Sequence, residues 1–172
     1  MEGMKVVAEL MGISARTAPK SAGQDFVEIR ILEGDQIQKL AGAMEKFGKE
    51  KGKPNFDRDG RNVGNSDAVV LIGLKDDKSV GLNCGACGYA TCKELEETRR
   101  VQVEFEGPHC AFRLLDMGIA LGSAVKTAGL LNADNRIMYR IGAVARSMGF
   151  CDWEYVMGIP LSATGKSIYF DR

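Results

Sequence analysis

The chain has one histidine, one tryptophan and four prolines in 172 residues, and its charges cancel, with 23 Lys plus Arg against 23 Asp plus Glu. That balance removes the basic field that nucleic acids and anionic membrane surfaces require, and no RNA- or DNA-binding motif is present. Long apolar runs are missing too. The longest, Met117 to Val125, is closed by Asp116 and Lys126 and falls far short of the ~20 residues that span a bilayer. The opening Met1-Glu-Gly-Met-Lys is charged and leads straight into an amphipathic pattern, so no secretory leader is read there. No nucleophile stands beside a base, and nothing pairs Asp57, Asp59 and Asp67 as an acid/base couple, so hydrolysis finds no support. Repeats and low-complexity stretches are absent. The expectation is a soluble cytoplasmic protein, with neither nucleic acid nor membrane among its partners.

Against these absences stand five cysteines. Cys84, Cys87 and Cys92 follow a C-x2-C-x4-C spacing, Cys110 follows after seventeen intervening residues, and Cys151 lies apart beside Phe150 and Trp153. In a cytosolic chain such cysteines read as metal ligands or buried thiols rather than a disulfide framework. Thiolates are soft ligands, and four converging on one point serve an iron–sulfur cluster or a zinc ion. Structural zinc usually takes paired C-x2-4-C knuckles, but here Cys110 stands alone; the plant-type [2Fe–2S] order is the reverse of this one. Gly85 and Gly88 suit a loop that aims side chains inward, and their amides could point at cluster sulfides. The reading is a redox-active iron–sulfur centre on Cys84, Cys87, Cys92 and Cys110, with zinc and small buried thiols as the alternatives. His109, next to Cys110, is either a solvent-exposed loop residue, a group tuning the cluster, or a substitute ligand. Cys151 is read as core.

The remaining pattern alternates helix and strand. A helix is expected over 3–16, with Val6, Val7, Leu10, Met11 and Ile13 on its apolar side, and a strand over 25–32. Ile37, Leu40, Ala41, Met44 and Phe47 mark a helix with Asp35 as N-cap and Gly48 as stop, followed by an exposed loop over 49–65. Ala68 to Leu74 reads as a strand buried on both faces. Beyond the cysteine loop, a helix over 92–105 would carry a Glu96–Arg100 pair. Residues 112–130 read as a core helix whose Gly118 and Gly122 admit a close neighbour, and Ile137 to Met148 as a further helix closed by Gly149. The tail, 154–172, reads as a strand, a Gly-Ile-Pro turn and a last strand over 167–170. The whole is one α+β (mixed α/β) domain over 1–172, with a cluster-binding segment at 79–111.

Two family resemblances extend this reading. Cys84-Gly-Ala-Cys87-Gly-Tyr-Ala-Thr-Cys92 with a later fourth cysteine resembles the small [4Fe–4S] domain of anaerobic carbon-metabolism and electron-transfer complexes, with the pattern C-G-x-C-G-x-x-x-C. That family usually has prolines after its last cysteine, whereas here Pro108 precedes Cys110. The chain as a whole resembles the uncharacterised ferredoxin-domain-containing proteins of anaerobic bacteria and archaea. Membership implies an iron–sulfur redox protein with one [4Fe–4S] cluster, transferring electrons to a redox partner protein within or beside an anaerobic oxidoreductase.

The second resemblance is to nitroreductase-like flavoproteins. It rests on Ser14-Ala-Arg-Thr-Ala-Pro-Lys-Ser-Ala, Ala68 to Leu74, the Asp116-Met-Gly-Ile-Ala start of a long helix, Ala143 to Gly149, and Gly158-Ile-Pro160. It implies helices around a small sheet, a homodimer, and FMN as a second cofactor, with Arg16, Lys20 and Ser21 touching its phosphate or ring edge. The family's arginine-rich N-terminal motif is missing. The bland reading of Arg16 and Lys20 is that they sit where cations are favoured anyway, at a helix C-terminus.

Overall fold

The computed structural model describes residues 3–170. Six helices lie along them, α1 (Gly3–Thr17), α2 (Asp35–Lys51), α3 (Phe56–Gly64), α4 (Cys92–Glu97), α5 (Ala111–Leu130) and α6 (Tyr139–Ser147). The strands are β1 (Val27–Leu32), β2 (Ala68–Leu74), β3 (Val101–Gln102), β4 (Glu106–Gly107), β5 (Asp134–Asn135) and β6 (Tyr155–Ser162). Four of them form one antiparallel sheet in the order β1-β2-β6-β5, and β3 and β4 form a separate small hairpin. This is the α+β architecture expected.

The sheet is the middle layer of three. On β2, Ala68, Val70, Ile72 and Leu74 point into a core shared with α1 and α5, while Val69 and Leu71 point into a core shared with α2, α3 and α6. Every residue of β2 is buried, so the uninterrupted apolar run is what a strand covered on both faces needs. Small residues let α6 lie close on β6. A Cβ on Gly142 would sit 1.9 Å from the Val156 carbonyl oxygen, and one on Gly158 would sit 2.0 Å from Ile141 Cγ2.

Several local expectations give way. The helix at 35–51 does not stop at Gly48; that glycine is buried beneath Phe56, and the chain leaves at Gly52 in a left-handed conformation. Its N-cap is Gly34, with Asp35 in the first turn. The polar stretch 49–65 is not all loop, because Phe56, Gly60 and Val63 of α3 pack against α2. Composition argued against that helix, and tertiary contact overrode it. The helix after the cysteine loop ends at Glu97, and Glu96 and Arg100 do not pair: Glu96 accepts from Ser79, while Arg100 reaches Asp77 and Glu154. On α1, Val6, Leu10 and Ile13 face solvent, and Met4, Val7, Ala8, Met11 and Ala15 fill the core. Among the described residues, nothing lies within 4 Å of a Cβ placed on Gly118 or Gly122.

Gly158-Ile-Pro160 is not a turn but the middle of β6, and residues 167–170 form no strand; residues 171–172 of the tail lie outside the described residues. Pro160 leaves a trace in the pairing. Gly158 exchanges both backbone bonds with Met138, so the nitrogen two residues on faces the same side, and at Pro160 it has no hydrogen to give. The ladder is broken there, between the Asn135–Leu161 pair and the Met138–Gly158 bridge.

Candidate functional site

The cysteine segment leaves the sheet at the end of β2 and returns at the start of α5. Between them the loop turns through left-handed positions, including Asn83 (φ 48°), Gly85 (φ 73°) and Gly88 (φ 90°). The two glycines match the conformations a metal-wrapping loop demands. The Gly88 amide, however, is not free to face a ligand; it donates to the Gly85 carbonyl at 2.9 Å and closes a turn. Thr91 then starts α4 with a reciprocal cap, its hydroxyl accepting from the Glu94 amide while the Glu94 carboxylate accepts from the Thr91 amide. That cap fixes where Cys92 begins its helix.

Cys84, Cys87, Cys92 and Cys110 all line one pocket, walled on its apolar side by Val80, Leu82, Ala111 and Phe112. Its free space amounts to about 10 Å3, room for roughly one water. Among the described residues no group of three or more His, Cys, Asp or Glu side chains is drawn together closely enough to hold a metal ion. The four cysteines therefore share one pocket without converging on a single point. Its outer wall is the 82–86 segment, which is exposed throughout, while Cys110 is buried at the N-cap of α5. The donors themselves suit soft metals: four thiols and no hard carboxylate among the lining side chains.

Cys92 carries a thiol disposed to ionise. The Asn83 amide donates to Cys92 Sγ at 3.3 Å and, against the opposing effect of burial and with further bonds from Ser79 and Gly81, holds the thiol below its ordinary pKa. Cys151 is different. It is buried in the core with Trp153, and burial raises its thiol above the usual range.

His109 is neither exposed nor turned to the cysteines. It is buried, with Nε2 donating to the Glu106 carbonyl at 2.6 Å and Nδ1 2.8 Å from Asp77 Oδ1. Both ring nitrogens are thus engaged outside the pocket. Burial pushes the Asp77 carboxyl up, but the bond to His109 and the charges of His109 and Arg100 outweigh it and leave Asp77 below the ordinary carboxylate range.

The three residues expected at a flavin have other work. Arg16 donates to Asp25 Oδ2 at 2.8 Å and to the Val27 carbonyl at 2.6 Å. Lys20 Nζ donates to the Ala15 and Arg16 carbonyls at 2.8 and 2.6 Å, which places the ammonium at the C-terminal end of α1. Ser21 donates through its amide and its hydroxyl to Asp116 Oδ1, at 2.8 and 2.7 Å.

Sequence reasoning passed over the residue that ties these parts together. Arg113 is fully buried on the first turn of α5. Its guanidinium donates to the Lys78 carbonyl (2.7 Å), the Ser21 carbonyl (2.9 Å), Gln24 Oε1 (2.5 Å) and Asp116 Oδ2 (3.2 Å), and stacks 4.7 Å from the Phe26 ring centre. One cation joins the approach to the cysteine loop, the turn after α1 and the helix that carries Cys110. An arginine and an aspartate three apart at the head of an otherwise apolar helix were the available signal.

The arrangement of helices around the sheet is that of the nitroreductase-like proteins. A nitroreductase of Lactococcus lactis in complex with chloramphenicol superposes with a TM-score of 0.60 at 15% identity, covering 98% of this chain and 84% of that one. An FMN-dependent nitroreductase of Mycobacterium smegmatis in complex with NADPH gives 0.60 at 11% identity, covering 98% and 82%. A nitroreductase family protein of Clostridium novyi gives 0.58 at 15%, covering 95% and 77%. At these identities the likeness is one of fold.

Sequence supplies the closer kinship. An uncharacterized protein of Archaeoglobus fulgidus is 52% identical over 171 residues, spanning 99% of this chain and 92% of its own length. The family described as "Uncharacterized protein containing a ferredoxin domain" matches residues 106–172, a span that includes Cys110, α5, α6 and β6. The chain belongs to that family. None of its helices among the described residues is long and apolar enough to cross a membrane.

Proposed function

We propose that the protein is an iron–sulfur redox protein that holds one [4Fe–4S] cluster on Cys84, Cys87, Cys92 and Cys110, within the segment 79–111. Its task is electron transfer to a redox partner protein, in or beside an anaerobic oxidoreductase. The observation that carries the reading is that all four thiols line one pocket although seventeen residues separate Cys92 from Cys110. Membership of a ferredoxin-domain family supports a redox role. When bound, the cluster supplies one-electron chemistry; the chain supplies four soft ligands, an apolar wall and a thiol already disposed to ionise. Binding requires the pocket to widen. The exposed 82–86 segment provides the freedom, and buried Cys110 provides the fixed side.

Anaerobic reconstitution of the intact chain tests this. The cluster reading expects visible absorption that dithionite bleaches, abolished by Cys87→Ser and retained by Cys151→Ser. A zinc-stabilised interaction module is the competing outcome: stoichiometric zinc, no redox signal, and unfolding on chelation.

A second reading adds FMN, making the protein a flavin-dependent oxidoreductase in which cluster and flavin exchange electrons. The fold shared with an FMN-dependent nitroreductase favours it. The internal bonds of Arg16, Lys20 and Ser21 weigh against those residues as the flavin's anchors. FMN released on denaturing cluster-free protein supports this reading, and failure to bind added FMN retires it. A homodimer completes the proposal. Val6, Leu10 and Ile13 of α1 and Leu114, Leu115 and Ile119 of α5 are exposed on two helices that pack together, and a second copy would cover them.

A further inference from the structure

Away from the cysteines, a cavity of about 750 Å3 opens between the β3–β4 hairpin, the end of α2 and the end of α6, within the ~300–1,000 Å3 range of small-molecule sites. We propose that this cavity binds a small organic monoanion with an apolar, ring-sized body. The inference does not depend on the cluster or the flavin.

The shape of the ligand follows from the walls. Phe47 and Ala143 give an apolar floor, and Val103 lines the hairpin side with 81% of its surface exposed. An apolar side chain so open at the lip of a cavity gains burial when a ligand enters. The charge of the ligand follows from the pairing. Lys53 is bound by Glu104 at 2.5 Å, Arg146 by Glu106, and Asp152 by Lys75 at 2.8 Å. Those three pairs neutralise themselves and leave Lys51, on the last turn of α2, as the cation that lines the cavity outside them among the described residues. A single negative charge on the ligand matches it.

The hairpin that roofs the cavity is pinned rather than loose. Its Glu106 is held by Arg146 through the side chain, and its backbone amide donates to the Glu154 carbonyl at 2.9 Å. Phe105 packs on Tyr155 with ring centres 4.6 Å apart. The site is thus largely formed before a ligand arrives, which lowers the ordering cost of binding.

Calorimetric titration of the purified chain with 1-naphthoate tests the proposal, with neutral 1-naphthylmethanol and cationic 1-naphthylmethylamine as companions. The naphthoate is expected to bind saturably and tightest of the three. Lys51→Gln should weaken naphthoate about tenfold and leave the alcohol unchanged. Ser147→Trp, an exposed position that lines the cavity, should abolish both while leaving the thermal transition in place. Absence of saturable naphthoate binding, tighter binding of the amine, or binding untouched by Ser147→Trp would overturn it.

Discussion

Asn83 and Cys92 hold one another through reciprocal backbone contacts: the Asn83 amide donates to Cys92 Sγ at 3.3 Å, and the Cys92 amide donates to Asn83 Oδ1 at 2.8 Å. The pair closes the cysteine loop on itself. It also sets Asn83 at a positive φ of 48°, where asparagine is one of the few tolerated side chains.

The first prediction follows from that pair. Asn83→Ala removes the side-chain acceptor and strains the backbone, so the amide that faces the sulfur loses its alignment. Cys92 then returns toward the ordinary thiol range, and its alkylation by iodoacetamide at neutral pH slows in metal-free protein. Peptide mapping of the alkylated sites measures it. An unchanged Cys92 rate would show that the loop is not what lowers the thiol.

Arg113 gives the second. Arg113→Met leaves Asp116 with a buried charge from which one cation has been removed, and leaves the Lys78 carbonyl and Gln24 side chain short of a donor. Removing one partner of a buried pair costs about 3–5 kcal/mol, to be read by urea unfolding of the metal-free protein. Arg113→Lys keeps the charge but not the fork, and should recover only part of the loss.

Tyr169 gives a pH dependence of known sign. It is buried with its hydroxyl 2.8 Å from Ser66 Oγ, and burial raises its pKa from 10.0 to about 12. The unfolded chain releases the phenolic proton near 10, the folded chain only near 12. Stability from this group is therefore complete below pH 10 and falls as pH rises through 12, by at most roughly 3 kcal/mol. Unfolding measured between pH 9 and 12 should lose this slope in Tyr169→Phe; the same slope in both would refute it.

What the sequence disclosed and what it hid divide along a physical line. An unbroken apolar run exposed β2, and helical patterning exposed α1, α2 and α5, though on α1 it took Val6, Leu10 and Ile13 for the buried side when they face solvent. It hid α3, whose Gly60 is required for contact with the Ala41 carbonyl and lowers helix propensity at the same time. It misassigned β6, where Pro160 reads as a turn but sits where the β5 ladder has already lapsed. Spacing marked the first three cysteines as a set, and in the structure all four line one pocket, although no three ligand side chains among the described residues draw together as a metal group. His109 could not be placed, since a lone histidine carries no period and its partner Asp77 lies thirty-two residues earlier. Arg113 was invisible for the same reason. Its partners come from three segments that only the fold assembles.

The central claim is that four cysteines hold one [4Fe–4S] cluster. Iron and acid-labile sulfide counted per chain in anaerobically reconstituted protein test it most directly. The account predicts about four of each, lost together in Cys87→Ser. Stoichiometric zinc with no sulfide, or iron that survives that substitution, would contradict it.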